Sequence, residues 1–197
     1  RVMLVAENRP EWCIADLGIM AAGCVTVPTY ITNTERDHQH ILDNSQSRAV
    51  IVSTAKLAQH LMPAVVRSSE CEFVIGMEPL KVTQRGQQKH HDWADLVQGT
   101  YADVTALTEE MAHVGRRELA CIIYTSGTGG APRGVMLHHG SIICNVDGAA
   151  QVLREDFGLD NERFLSFLPL SHAYEHSGGQ FLPIGVGAEI YYAEGLE

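Results

Sequence analysis

A layered α/β fold, with a largely parallel sheet covered by helices, is what this chain of 197 residues predicts. Two features carry the expectation. Short apolar runs of strand length alternate with stretches whose apolar residues recur at helical spacing. The clearest of these runs, residues 119–124, empties into a loop rich in glycine, serine and threonine, the arrangement in which α/β sheets place their ligand loops. Hydrophobic residues make up 45% of the chain and charged residues 19%, enough apolar material for one substantial core, and no repeat, low-complexity block or charge run divides it. One domain, or part of one, is the economical expectation.

The elements follow in order. Asn8-Arg9-Pro10-Glu11 offers a capping residue, an early proline and an acidic first turn to a helix carrying Trp12, Leu17 and Met20, with Gly23 as its stop. Residues 25–27 form a short strand ended by Pro28. Thr34 and Asp37 have the spacing of a capping box opening a helix through Ile41 and Leu42. Residues 49–53 are a strand, Leu57, Leu61 and Val65 mark a helix with Pro63 as a kink, and residues 73–75 are the next buried strand. Residues 78–118 are polar and poorly periodic, so they read as surface excursions, with Trp93, Leu96 and Val97 anchoring a short helix. Strand 119–124 is expected to be central and buried. A strand at 135–137, a helix over 141–153 and strands at 164–168 and 189–192 complete the order.

Composition excludes some functions. Fourteen Lys and Arg against 24 Asp and Glu give a net charge of -10, a field that disfavours a nucleic-acid partner. The five cysteines, Cys13, Cys24, Cys71, Cys121 and Cys144, are odd in number and scattered, which suits neither a disulfide framework nor a zinc site and fits a reducing compartment. No run is long and apolar enough to span a bilayer, so a cytoplasmic location is expected, with peripheral membrane contact left open. The chain opens on Arg1 and closes on Gly195-Leu196-Glu197 without a tail-like segment, the expectation being a piece of a longer protein.

Tyr124-Thr125-Ser126-Gly127-Thr128-Gly129-Gly130-Ala131-Pro132-Arg133-Gly134 gathers hydroxyls, glycines and one cation directly after a strand. Glycine lets backbone N–H groups turn toward an anion, hydroxyls add donors, and a cation offsets polyphosphate charge. The order is neither that of a P-loop nor that of a dinucleotide fingerprint, since Pro132 stands where a third glycine would fall. It resembles the Y-T-S-G-T-T-G-x-P-K-G signature of adenylate-forming enzymes, the superfamily of acyl-CoA synthetases, peptide-synthetase adenylation domains and firefly luciferase. Gly129 replaces the usual second threonine and Arg133 the usual lysine, which keeps the charge but changes its geometry.

Other segments carry the same resemblance in the same order: residues 7–12, residues 23–30 and Val135-Met136-Leu137-His138-His139. Leu168-Pro169-Leu170-Ser171-His172-Ala173-Tyr174-Glu175 is similar to the L-P-L-x-H-x-x-E stretch of long-chain acyl-CoA synthetases. The resemblance implies an AMP-forming ligase acting on a long-chain fatty acid, with ATP, Mg2+ and coenzyme A as co-substrates. It implies that residues 1–197 are part of the N-terminal ATP- and acyl-binding domain without the C-terminal domain, and so an incomplete catalyst. Thr125, Ser126, Gly127, Thr128, Gly129, Gly130, Arg133 and Gly134 would hold the nucleotide phosphates, and His172 would be the catalytic group beside the reacting carboxylate. No residue is assigned to a metal, and the oligomeric state is not assigned.

Two alternatives stand beside this. His172-Ala173-Tyr174-Glu175-His176 also satisfies H-x-x-E-H, a zinc-peptidase pattern, although Gly178-Gly179 follows too soon for a long zinc helix. A non-catalytic nucleotide-binding module of the same fold is the other. Glu175 is read as a helix-end acid, and His139 as a packing or capping residue ahead of Ser141.

Overall fold

The computed structural model describes residues 1–80, 86–99, 103–125 and 131–193. Strand β1 (Val2–Val5) leads through α1 (Pro10–Ala21) to β2 (Thr26–Pro28), and then come α2 (Glu35–Ser45), β3 (Ala49–Val52), α3 (Ala55–Arg67) and β4 (Phe73–Gly76). Next are β5 (Lys89–Asp92), α4 (Trp93–Gly99), α5 (Val104–Ala112), β6 (Leu119–Thr125), β7 (Arg133–His138) and α6 (His139–Asp156). Beyond β8 (Arg163–Ser166), a short α7 (Ala173–Glu175) runs into a π-helical turn at His176–Phe181, then α8 (Leu182–Val186) and β9 (Glu189–Tyr192). Among the described residues no helix is long and apolar enough to cross a membrane.

Seven strands form one sheet in the order β5-β4-β3-β1-β2-β6-β7, parallel throughout except that β6 and β7 are antiparallel. Alternation along the buried strands divides the core in two. Met3, Val5, Val50 and Val52 face α2 and α3 through Ile41, Leu42, Leu61 and Val65, whereas Leu4 and Ile51 face α1 through Trp12, Ala15 and Ile19. Ala120, Cys121 and Ile123 of β6 meet Ile142 of α6. Helices therefore cover both faces, which is the expected class.

Local chemistry explains the helix starts. Thr34 caps α2 in a reciprocal box, its hydroxyl accepting from the Asp37 amide while Asp37 accepts from the Thr34 amide, and Pro10 sits in the first turn of α1. Pro63 lies inside α3 without ending it.

Several expectations need correction. The middle of the sheet is β1, because strand 119–124, though buried, lies one place from the edge with β7 outside it. β1 carries no turn signal ahead of it and was not expected as a strand. β8 and β9 do not join the main sheet and instead pair with each other in parallel. The polar stretch 78–118 holds two elements that periodicity does not announce, the polar edge strand β5 and the helix α5, which buries none of its residues.

Candidate functional site

β1, β2 and β6 run parallel, so their carboxyl ends open on the same side of the sheet. There lies a cleft of about 400 Å³. Thr29 and Tyr30 enter it from the end of β2, Asp37 and Ile41 from α2, Tyr124 and Thr125 from the end of β6, and His172 from the segment ahead of α7. This is where open α/β sheets hold ligands.

The phosphate-loop candidates divide. Thr125 and Arg133 are cross-strand partners, the last pair of the ladder by which β6 and β7 form a hairpin. Ser126, Gly127, Thr128, Gly129 and Gly130 lie outside the described residues. Arg133 is exposed and makes no ion pair with any described carboxylate, which leaves its guanidinium available to an anion. Gly134 has a packing reason of its own. It sits opposite Tyr124, and a Cβ there would come within 2.7 Å of Ile122 Cγ2 and 3.0 Å of Tyr124 Cζ. The absent side chain lets the Tyr124 ring lie across β7 and donate its hydroxyl to Asn44 Oδ1 at 2.6 Å.

His172 is the N-cap of α7, and its Nδ1 accepts the Tyr174 amide at 3.2 Å. An accepting Nδ1 puts the ring proton on Nε2, so the exposed imidazole offers the cleft a donor. Asn8 fixes the approach to it. Rather than capping α1, whose N-cap is Arg9, Asn8 donates to Leu168 O at 2.6 Å and accepts the Leu170 amide at 2.9 Å. The link ties segment 168–170 to the end of β1. The side chain is spent there, which corrects the expectation of a helix cap at that position.

The other histidine of the H-x-x-E-H stretch does something different. His176 is fully buried, its Nε2 donates to Asp16 Oδ2 at 2.8 Å, and its Nδ1 faces Cys121 Sγ at 4.0 Å. Burial first, and the Asp16 charge second, push the Cys121 thiol up to about 12, so it stays protonated and can serve only as a weak donor. Gln180 donates to the same Asp16 oxygen at 2.7 Å. Trp12 and Phe181 stand edge-on to the imidazole. The two histidines thus have separate partners, and among the described residues no group of three His, Cys, Asp or Glu is placed to hold a metal. Glu175 stands at the end of the short α7, as a helix-end acid, and it is buried over Gly179.

Sequence reasoning missed Asp16, His176 as a core group, His40 and Asn44. Asp16 left one legible signal, since it stands four residues after Trp12 and so on the inward face of α1, where a carboxylate needs a partner.

One family model, described as AMP-binding enzyme, matches residues 1–197. A long-chain-fatty-acid–CoA ligase of Drosophila melanogaster is 28% identical over 98% of the chain and 29% of its own length. One of Mycobacterium tuberculosis is 30% identical over 87% of the chain and 27% of its own length. The chain thus spans less than a third of the curated relatives it matches. Among solved structures, a red-emitting luciferase of Phrixothrix hirtus superposes with a TM-score of 0.79 at 17% identity, covering 100% of the chain and 36% of that protein. A benzoate CoA ligase of Burkholderia xenovorans gives 0.74 at 26% identity, covering 98% and 35%.

Proposed function

The chain belongs to the AMP-binding enzyme family, and on that premise we propose that it is the phosphate- and acyl-facing part of an ATP-dependent ligase that activates a long-chain fatty acid and passes it to coenzyme A. One observation carries the reading: Thr125, at the base of the hydroxyl- and glycine-rich hairpin, and His172, from a segment 47 residues later in the chain (172 − 125), line the same cleft. The curated relatives named as long-chain-fatty-acid–CoA ligases support the acyl class.

The chemistry has two steps. A fatty-acid carboxylate oxygen attacks the α-phosphorus of ATP, forming the acyl-adenylate while pyrophosphate leaves. The thiol of coenzyme A then attacks the acyl carbon, the thioester forms, and AMP departs. Thr125 and Arg133 bracket the entering triphosphate, Arg133 as a planar cation suited to phosphate oxygens. A magnesium ion bound to the nucleotide would offset charge on the triphosphate. His172 presents Nε2–H toward negative charge developing between carboxylate and α-phosphate, and a preorganised donor of this kind is worth ~3–4 kcal/mol, or a hundred- to thousand-fold in rate. Reaction in the cytoplasm, with contact at a membrane surface where fatty acid is held, completes the proposal.

The test is fatty-acid-dependent exchange of pyrophosphate into ATP by the full-length protein. His172→Ala is expected to lower kcat by roughly a hundred-fold with little change in the KM for ATP. Unchanged turnover in that variant, or exchange indifferent to fatty acid, would displace the reading. The departures at Gly129 and Arg133 favour a second reading, nucleotide binding without catalysis, which predicts ATP affinity but no exchange.

A further inference from the structure

Thr125 and Arg133 are the last pair of the β6–β7 ladder, so the Pro132 carbonyl lies just beyond the strand pairing. His40 takes it up. The Nε2 of His40 donates to Pro132 O at 2.8 Å, and the ring stands edge-on to Tyr124, with centroids 6.3 Å apart and planes at 89°. One helical turn later Asn44 accepts the Tyr124 hydroxyl. Residues four apart share a helix face, so this face of α2 grips the hairpin from both sides, His40 on the strand that leaves and Asn44 on the strand that enters.

Few other contacts bear on the leaving side. β7 is an edge strand paired only with β6, five of its six residues are exposed, and among the described residues no side chain other than His40 bonds to positions 131–134. A carbonyl can only accept, so the bond requires the ring proton on Nε2.

We infer that His40 is a positioning residue for the nucleotide: its bond to Pro132 sets the height of the hairpin base over the cleft, and with it the approach of Thr125 and Arg133 to the triphosphate. The inference rests on the reading of the cleft as an ATP site. It reaches the reaction through backbone placement, since a small displacement at the base of a phosphate-binding segment is enough to misalign its donors. Asp37 and Ile41 of the same helix line the cleft, so a shift of α2 against the hairpin changes the cavity itself.

The experiment uses the full-length protein and two readouts, the Kd for α,β-methylene-ATP with magnesium by calorimetry and the KM values for ATP and fatty acid in pyrophosphate exchange. His40→Ala is expected to raise the ATP Kd and KM roughly two- to ten-fold, the effect of one hydrogen bond, with the fatty-acid KM within two-fold of wild type. His40→Gln, whose amide N–H can reach the same carbonyl, should recover most of the affinity. His40→Phe keeps the ring against Tyr124 but has no donor and should not recover it. An ATP Kd unmoved by His40→Ala, or recovery by His40→Phe equal to that by His40→Gln, overturns the inference. Equal losses for both substrates with a lowered Tm do the same, because they mark general destabilisation. A wild-type protein that binds the analogue without fatty-acid-dependent exchange refutes the proposed ligase activity but leaves the Kd comparison decisive for His40. One with no affinity for the analogue refutes both.

Discussion

His38, on α2 two residues before the hairpin grip, is buried in the core with no bonding partner on Nδ1 among the described residues. Burial lowers its pKa from the ordinary 6.5 to about 4, with Asp37 opposing the shift and His60 adding to it. Above pH 6.5 the imidazole is neutral in folded and unfolded chains alike, so it adds no pH dependence. Between 6.5 and about 4 only the unfolded chain takes up the proton, and stability falls with pH by up to about 1.4 kcal/mol per unit. His38→Leu should therefore flatten this part of the acid limb: the stability lost between pH 7 and 4.5 in urea unfolding should shrink by about 2 kcal/mol. An unchanged limb would mean that the ring is hydrated in the folded protein. Residue 134 gives a second test at this scale. A methyl group there would press on Ile122 and the Tyr124 ring, so Gly134→Ala is expected to cost about 1–3 kcal/mol and to loosen the Tyr124–Asn44 bond. Urea unfolding of the variant measures the first effect, and exchange of the hairpin amides the second.

Among the elements, the π-helical turn at His176–Phe181 shows how a tertiary demand overrides a local signal. Gly178-Gly179 reads locally as a helix stop. Yet the chain continues, because His176 and Gln180 both reach Asp16 Oδ2 on α1 and Gly179 leaves room for the Glu175 carboxylate, which a Cβ there would meet. π turns of this sort occur mostly as local insertions and frequently near functional sites. Asp16→Ala should cost about 3–5 kcal/mol, because it strands two buried donors, whereas Asp16→Asn keeps an acceptor and should lose much less. Equal losses in urea unfolding would show that the carboxylate charge, and not its acceptor, holds the turn. What was legible follows the same division. The capping box at Thr34, the proline opening α1 and the apolar run of β6 are local features, and the sequence announces them. β5, made of Lys89, His90, His91 and Asp92, earns its place only by pairing with β4, and neither polarity nor periodicity marks it. In the cleft, Thr125 and His172 were found through their motifs. His40 and Asp16 were not, because their roles depend on partners 92 and 160 residues away.

On the scale of the molecule, the sheet ends at β7 with Val135 and Met136 exposed, and Phe157 and Leu165 are more than half exposed elsewhere. The chain spans under a third of the length of the curated relatives it matches. Adenylation asks for more than one cleft wall can give. The carboxylate and α-phosphate must be held in line, the adenosine must be fixed so that the triphosphate does not sample other orientations, and charge on the departing pyrophosphate must be met by preorganised groups. Among the described residues the cleft is lined by Thr125 and His172 together with Tyr30, Tyr124 and Pro132, which on the proposed reading would serve the phosphate and carboxylate side of the reaction. Each preorganised donor of this kind is worth a hundred- to thousand-fold in rate, so on the proposed reading a site short of two or three of them would turn over below detection. The 197-residue chain expressed alone is accordingly expected to give no fatty-acid-dependent pyrophosphate release, while the full-length protein gives it and loses it with Arg133→Ala and Thr128→Ala combined. Measuring release for all three under the same conditions decides the matter, and sustained turnover by the isolated chain would place the whole of the chemistry within these residues.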